Sequence, residues 1–417
     1  MTKAILDFVN RSMDEQVARK AVPPGFPDLP VIPASRYVAR DFADLEMRHI
    51  WDKKWLFVGV ESDLPEAGSY FLFERLGRSI IISRGRDGVI RAFHNICRHR
   101  GSALLTEPSG KVKRFVCPYH TWGYELTGEL TSVPLAHDFP CLDKAKRSLA
   151  AVKCEVFRDL IFINLDAEAP ALAENLEPML PHLEGFPLEG LVTRDVYSID
   201  LDCNWKVALH NFLEIYHVNS VHPVTLAPYF DTPSYFITLL DKGHSRLATR
   251  KKKGPSLFES GAPAPEGTGE IFSELSIAPV IFPNIFIPLD PSGFMPLTIW
   301  PVSVDKSVLE VRTFGWKSGS PDRAYWETIR DRGLDIVRED IHLFDTLQRG
   351  LASRVIDGMK LGYQERALYW FEEEVDRSIG VADIPENMRV SQVLTDHVKE
   401  IAREEARASQ VPLTEVG

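Results

Sequence analysis

The stretch from Cys97 to His120 decides the fold, and it reads CRHRGSALLTEPSGKVKRFVCPYH. It contains two mixed pairs of metal-ligating side chains, Cys97 with His99 and Cys117 with His120, separated by 17 residues. Short β-rich runs divided by Gly and Pro surround it over residues 56–165, which predicts a small all-β domain. We therefore expect two loops of that domain to offer one thiolate and one imidazole each to a metal.

Two thiolates and two imidazoles are the ligands of a Rieske [2Fe-2S] cluster, in which the imidazoles replace thiolates on one iron. A structural zinc site uses the same four side chains, but it usually spaces them as two like pairs. Gly101, Pro118 and the dipeptide Trp122-Gly123 are turn-forming or packing residues that would shield a cluster between two loop tips. The pattern favours the cluster over zinc.

A second group of potential ligands lies where a second domain begins. Residues Trp205 to Val221 predict a helix that stops at Pro223, and Glu214 and His217 lie on it, with His222 just beyond. The two histidines are five residues apart, so an ideal helix would not bring both to one metal and the segment must distort. Glu214 lies one turn before His217, within reach of its free ring nitrogen.

Two histidines need one carboxylate to complete the facial triad of a non-haem Fe(II) oxygenase, which leaves positions open for O2 and substrate. The candidates Glu339, Asp340 and Asp345 lie far downstream, on a helix predicted over Arg323 to Gly350. Any of the three can equally belong to a solvated helix face.

The two Cys/His pairs come first in the chain, and the two histidines with the candidate carboxylates follow. With its potential metal ligands in this order, the chain resembles the α subunits of Rieske non-haem iron ring-hydroxylating oxygenases over nearly its whole length. The resemblance implies an α+β fold in which an all-β Rieske [2Fe-2S] domain occupies residues 51–168. A helix-grip catalytic domain, an antiparallel sheet with helices, would occupy residues 169–417. A helical segment over residues 1–50 would pack against the catalytic domain.

The resemblance also selects among the candidate residues. Asp340 matches the third ligand of the mononuclear Fe(II), with Glu339 and Asp345 as alternatives, and His342 is expected to face away. Glu214 matches the acidic residue that bridges a cluster histidine of one subunit to an iron histidine of the next. His210 stands where members of the family commonly have Glu or Asp.

The implied activity is that of a terminal oxygenase, which uses O2 and NAD(P)H-derived electrons to hydroxylate an organic substrate by mono- or dioxygenation. A separate reductase, directly or through a ferredoxin, would supply the electrons. The resemblance further implies a homotrimer, with or without a small β subunit. Five cations near the first loop are either a candidate docking patch for an acidic electron donor or the ordinary charges of a solvated loop: Arg98, Arg100, Lys111, Lys113 and Arg114.

The substrate is predicted less specifically. Asn211, Phe212 and Tyr216 flank the predicted iron-binding segment and are candidate pocket groups. Aromatic residues between Val224 and Phe314 are expected to line much of the pocket: Tyr229, Phe230, Tyr235, Phe236, Phe272, Phe282, Phe286, Phe294 and Trp300. The family favours an aromatic compound. Alternatives are a quaternary ammonium compound held by cation–π contacts, such as a betaine or carnitine, and an unactivated alkyl chain.

Composition adds weaker constraints. The 48 basic and 59 acidic side chains give a net charge of −11, which disfavours nucleic acid and anionic membranes as partners. Five cysteines fit a reducing compartment, and Cys141, Cys154 and Cys203 are expected to be buried packing residues. The N-terminal residues lack a secretory cleavage signal, so we expect a cytoplasmic protein.

Overall fold

A computed structural model of the chain describes residues 3–253, 264–317 and 322–401, and the structural statements below concern these residues. The chain divides into two compact units. The β unit comprises Trp51–Glu174 and Leu188–Thr193, and the α+β unit comprises Met1–Ile50, Asn175–Pro187 and Arg194–Gly417.

The strands are, in chain order, β1 (Ile32–Pro33), β2 (Leu56–Val60), β3 (Ser69–Arg75), β4 (Arg78–Arg84), β5 (Ile90–His94), β6 (Ser109–Lys111), β7 (Phe115–Val116), β8 (Gly123–Tyr124), β9 (Leu130–Ser132), β10 (Ala151–Phe157), β11 (Leu160–Asn164), β12 (Leu191–Leu201), β13 (Phe230–Leu239), β14 (Ser245–Lys251), β15 (Leu275–Ile281), β16 (Ile285–Phe286), β17 (Leu297–Ser303), β18 (Lys306–Trp316) and β19 (Gly358–Met359).

The α-helices are α1 (Lys3–Ala18), α2 (Arg40–Glu46), α3 (Leu172–Leu176), α4 (Leu180–Leu183), α5 (Trp205–Asn211), α6 (Val218–Val221), α7 (Ile271–Glu274), α8 (Arg323–Ala352) and α9 (Arg366–Ile379). A short π-helix, Met47–Trp51, follows α2. Within the part of the chain that is described, no helix combines the length and the apolar character needed to cross a bilayer.

The β unit is built from antiparallel strands. A seven-stranded sheet has the order β2-β11-β10-β5-β4-β3-β6, and β7, β8 and β9 form a smaller sheet. β4 and β11 are rich in β-branched and aromatic residues, which suit the buried interior of a sheet. Two loops leave these sheets, one after β5 and one between β7 and β8, and they contain the two Cys/His pairs.

The first segment of the β unit ends at Glu174, and Leu188–Thr193 also belongs to this unit. Hydrogen bonds explain the return of this second segment. The Gly190 N–H donates to the Asp159 carboxylate at 2.6 Å, and Arg158 binds the Glu189 carboxylate at 2.7 Å.

The α+β unit is a seven-stranded antiparallel sheet with helices, in the order β12-β18-β17-β16-β15-β14-β13. The long helix α8 begins after Asp322, whose carboxylate caps it by accepting from the Tyr325 N–H at 3.1 Å. Buried residues recur along α8 every three or four positions, which is the stripe of a helix packed on a core: Trp326, Ile329, Gly333, Val337, Asp340, Phe344, Gln348 and Leu351. The predicted order, an all-β domain followed by an α+β domain, is confirmed.

A buried network of charges ties the N-terminal segment of the α+β unit to α5 and α9. Arg36 contacts Glu372 and Asp376 of α9, each at 2.5 Å, and Lys206 of α5 contacts Glu46 at 2.6 Å. All five side chains are essentially inaccessible, and the opposite charges satisfy one another in a low-dielectric interior. This network holds the helix that precedes the histidine segment.

Three local predictions differ from the structure. Trp205–Val221 is not one helix: α5 ends at Asn211, where the Phe212 N–H closes a tight turn on the Leu209 carbonyl, and α6 begins only at Val218. The apolar run from Ile281 to Ile287 is typical of a single strand, but the structure divides it between β15 and β16 by a turn that contains Pro283, which lacks the N–H that a strand ladder needs. Cys141 is exposed rather than buried, whereas Cys203 is buried.

Candidate metal centres and substrate cavity

The two Cys/His loops share one backbone design. The Cys97 N–H donates a hydrogen bond to the Ser102 carbonyl at 2.8 Å, and the Gly101 N–H donates one to the Cys97 carbonyl at 3.0 Å. The second loop repeats both bonds at 2.9 Å, from Cys117 to Trp122 and from Thr121 back to Cys117. Gly101 and Thr121 have positive φ angles of 83° and 56°, which close each loop.

These loops bring the four predicted cluster ligands together. Cys97 and Cys117 are buried in one core cluster, and the imidazole rings of His99 and His120 have their centroids 4.7 Å apart. The Nδ1 atoms of both rings are buried and have no hydrogen-bond partner among the described residues. Buried polar atoms without partners are costly, so two such nitrogens beside two thiols fit a metal cluster that would ligate them.

Neighbouring aromatic side chains contact two of the four predicted cluster ligands, His99 and Cys97. The ring of Trp122 stacks on His99 with centroids 4.7 Å apart and an interplanar angle of 8°. The Tyr124 hydroxyl lies 3.3 Å from the Cys97 sulfur and accepts from the Arg98 N–H at 3.0 Å. Such contacts to a ligating sulfur tune the reduction potential of iron–sulfur clusters.

The second centre is formed by His217, His222 and Asp340, whose potential ligand atoms all lie within 4.8 Å of one another. Oδ1 of Asp340 is 2.9 Å from Nε2 of His222 and 3.7 Å from Nε2 of His217. The exposed fractions are 2% for the Asp340 side chain, 1% for His222 and 19% for His217. Two imidazoles and one carboxylate that converge in this way fit a facial triad for iron.

The break between α5 and α6 makes this convergence possible. Glu214 lies in the turn, where its carboxylate accepts hydrogen bonds from the backbone N–H groups of Tyr216 and His217. The same carboxylate contacts Nδ1 of His217, which leaves Nε2 of that ring facing Asp340. Glu214 therefore both shapes the turn and orients a ligand, as carboxylates behind metal-bound histidines do.

Glu339 plays the equivalent part for the second histidine, a role that the sequence analysis missed. Its carboxylate lies 2.6 Å from Nδ1 of His222 and accepts from the Thr225 hydroxyl at 2.5 Å. The pKa of His222 is raised, because hydrogen bonds to Asp340 and Glu339 outweigh the burial that lowers it. Two carboxylates around one buried ring thus create a place that favours positive charge.

Helix geometry separates the three candidate carboxylates. Asp340 lies on the buried stripe of α8, Glu339 lies one position to its side, and Asp345 is exposed and pairs with Arg349 at 2.9 Å. His342 is exposed as well. The spacing of Gly333, Val337, Asp340 and Phe344 was the signal in the sequence that could have selected Asp340 without a family resemblance.

A cavity of about 180 Å³ opens onto this centre in the α+β unit, and Asn211, Glu214, His217, His222 and Asp340 line it. Tyr216 does not line it and is 72% exposed. Four of the predicted aromatic residues line the cavity: Phe212, Phe230, Tyr235 and Phe286. The others are not lining residues, and most of them pack in the core: Tyr229, Phe236, Phe272, Phe282, Phe294 and Trp300.

The cavity walls are mostly apolar. The Phe212 ring stacks on that of Phe286 with centroids 5.6 Å apart. The remaining lining residues are Tyr197, Ile215, Val218, Leu226, Leu247, Thr249, Ser276, Ala278, Pro288, Met295, Leu297, Val311, Gly333, Ile336 and Val337. His210 is not among them, because it is buried with its Nε2 atom 3.2 Å from Glu372 in the charge network.

An all-β domain with a Cys2His2 loop pair, followed by an α+β domain with a two-histidine, one-carboxylate centre, is typical of the Rieske class of iron-dependent oxygenases. The family described as "Rieske [2Fe-2S] domain" matches residues 54–144, and "Ring hydroxylating alpha subunit (catalytic domain)" matches residues 188–380. The chain thus combines the two domains of the α subunits of Rieske non-haem iron ring-hydroxylating oxygenases, in the same order.

Similar proteins carry different activities in their names. The glycine betaine monooxygenase oxygenase subunit of Chromohalobacter salexigens is 37% identical over 184 residues, 44% of this chain and 41% of that protein. The carnitine monooxygenase oxygenase subunit of Escherichia coli K12 is 29% identical over 329 residues, 78% of this chain and 84% of that protein. The large oxygenase component of the naphthalene 1,2-dioxygenase system of Pseudomonas putida is 38% identical over 192 residues, 43% of this chain and 42% of that protein.

The fold is also similar to that of a solved quaternary ammonium Rieske monooxygenase, with a TM-score of 0.73 and 23% identity. That comparison covers 87% of this chain and 100% of the other. The match to the glycine betaine monooxygenase subunit, in contrast, spans less than half of that protein.

Proposed function

We propose that the chain is a terminal oxygenase that uses O2 and NAD(P)H-derived electrons to hydroxylate an organic substrate. The observation that supports this most strongly is the position of His217, His222 and Asp340, which line an apolar cavity with their ligand atoms facing one another. Iron held there would supply O2 activation beside a bound substrate. The apolar walls exclude water, and the residues around the cavity orient the substrate.

The proposed ligand roles follow the chemistry of each side chain. Cys97, His99, Cys117 and His120 would hold the [2Fe-2S] cluster. Glu214 would hold His217 in the tautomer whose Nε2 atom is free for iron. In a head-to-tail homotrimer, with or without a β subunit, Glu214 would also bridge to a cluster histidine of the partner subunit. Asn211 lines the cavity and would contact substrate.

A reductase, directly or through a ferredoxin, is the proposed electron donor in the cytoplasm. Arg98, Arg100, Lys113 and Arg114 near the cluster loops are exposed, which fits docking of an acidic protein. Lys111 contributes less to this patch, because it pairs with Glu66 at 2.6 Å.

The proposed substrate is an aromatic compound, which suits the stacked Phe212 and Phe286 rings. A quaternary ammonium substrate is the alternative, since Tyr197, Phe230 and Tyr235 also present aromatic rings to the cavity. Relatives with each kind of activity are known among the similar proteins.

The function is tested by His217→Ala in protein purified with its metals. NADH-driven oxygen uptake with a matched reductase should be lost, whereas the visible absorption of the cluster should remain. The exposed His342→Ala variant is the matched control and should keep both. Wild-type oxygen uptake in the His217→Ala protein would overturn the proposal.

A further inference from the structure

The charge of the cavity lining bears on zwitterionic substrates, for which some of the similar proteins are named. Its described lining residues include two carboxylates, Glu214 and Asp340, and no lysine or arginine. Both carboxylates already face the metal-binding histidines. A substrate carboxylate would enter a low-dielectric space with no lysine or arginine to pair with it, which is unfavourable.

Apart from the Asp340 oxygen that faces the histidines, one polar group of the cavity lacks a hydrogen-bond partner. The Tyr197 hydroxyl, on β12, is buried and has no hydrogen-bond partner among the described residues, although Tyr197 lines the cavity. Burial raises the pKa of Tyr197, so the phenol stays protonated and is a donor. An unpaired buried hydroxyl is costly, and a ligand that accepts its proton would remove that cost.

The charged side chains around Tyr197 are already paired. Its hydroxyl lies beside Gly333 of α8, 3.9 Å from where a β-carbon would stand, and the Met295 side chain fills the place that a side chain on Gly333 would take. Arg330 and Arg338 also lie on α8. Arg330 pairs with Asp331 at 2.9 Å and with Asp195 at 3.4 Å, and Arg338 pairs with Asp335 at 3.1 Å, so neither is offered to a substrate.

Tyr235 provides an internal comparison. Its ring also lines the cavity, but its hydroxyl donates to the Leu213 carbonyl at 3.2 Å. The two tyrosines of the cavity therefore differ in their hydroxyl groups. The Tyr235 hydroxyl is hydrogen-bonded within the protein, whereas the Tyr197 hydroxyl has no hydrogen-bond partner among the described residues.

We propose that the substrate is a neutral, mainly apolar molecule with one hydrogen-bond acceptor, and that the Tyr197 hydroxyl is the donor that orients it. This inference deepens the proposed oxygenase function and rests on it for the reaction, but it concerns binding alone. Tyr197 is thus a specificity-determining residue, and a betaine or carnitine is a poor ligand of this cavity.

The test uses three probes and isothermal titration calorimetry on the purified, oxidised protein without a reductase. Indane and 1-indanone have nearly the same shape, but only the ketone has an acceptor. 1-Indanone should bind more tightly than indane, and Tyr197→Phe should weaken its binding about 2- to 10-fold, the range for one neutral hydrogen bond, without changing indane binding. Glycine betaine should bind at least about tenfold more weakly than 1-indanone.

Tyr235→Phe is the matched control and should leave the ratio of the two neutral affinities unchanged. The inference would be overturned if both variants reduced the preference for 1-indanone over indane equally, or if Tyr197→Phe had no effect. It would also be overturned if neither neutral probe bound, or if glycine betaine bound more tightly than 1-indanone. Iron content and the cluster spectrum of the same samples test the proposed function separately, because probe affinity requires no turnover.

Discussion

Replacing Glu339 should weaken iron binding without removing a ligand. Glu339 lies 2.6 Å from Nδ1 of His222 on the side of the ring opposite the metal site, and it accepts a second bond from Thr225. Loss of a charge-assisted hydrogen bond costs about 1.5–3 kcal/mol, and loss of a carboxylate behind a metal ligand typically lowers affinity about 10- to 100-fold.

The structure narrows that range. The Glu339 side chain is 32% exposed, so water can replace the carboxylate on the His222 ring. We therefore expect Glu339→Ala to raise the dissociation constant of Fe(II) by about tenfold, the lower end of the range. Glu339→Gln keeps an acceptor oxygen and should have a smaller effect.

Competition with a ferrous chelator under anaerobic conditions measures this dissociation constant. Asp345→Asn is the control, since Asp345 lies on the same helix but only pairs with Arg349 at the surface. Absorption of the cluster should not change in any variant. An iron affinity of Glu339→Ala within twofold of the wild type would refute the orienting role of Glu339.

Three other predictions concern electron transfer, docking and stability. Glu214→Gln should retain both metals yet slow reoxidation of the dithionite-reduced protein by O2 in the presence of substrate, and stopped-flow absorption at the wild-type rate would contradict the bridging role. Charge reversal at Lys113 and Arg114 should slow reduction of the cluster by the donor and flatten its dependence on salt, whereas unchanged rates would argue against docking there. Burial lowers the pKa of His182 and of His210, so below pH 6.5 the unfolded chain binds more protons at these two residues than the folded chain does. The contribution of the two neutral histidines to the free energy of unfolding is complete above pH 6.5, and it falls by up to about 1.4 kcal/mol per pH unit for each histidine as the pH is lowered. The melting temperature should therefore drop between pH 7.5 and 5.5. A melting temperature that stays constant or rises would contradict this prediction.

Spacing in the sequence was enough to select the four residues of the Cys/His loops, which the structure brings together. Cys97 and Cys117 each begin a short loop with its histidine two or three residues later, and such local geometry depends on few distant contacts. The two-domain order followed from the change between β-rich runs and helical patterns. The pairing of His217 and His222 with Asp340 needed the family resemblance, because no local pattern joins residues more than a hundred positions apart.

Other features depend on tertiary contacts that a sequence does not display. The break between α5 and α6 arises where the Glu214 carboxylate competes with helical hydrogen bonds for the N–H of Tyr216 and His217. Most aromatic residues assigned to the pocket instead fill the core, since an apolar strand residue can face either side of a sheet. The free hydroxyl of Tyr197 and the bonded one of Tyr235 differ only in their neighbours.

The metal content of the purified protein tests the central claim most directly. Elemental analysis and EPR of the reduced state should find about three irons per chain, two in a Rieske cluster and one in the triad, as the two ligand sets require. Asp340→Ala should lower the count to two and leave the reduced-cluster signal intact. Zinc in place of iron, or three irons retained in Asp340→Ala, would contradict the account.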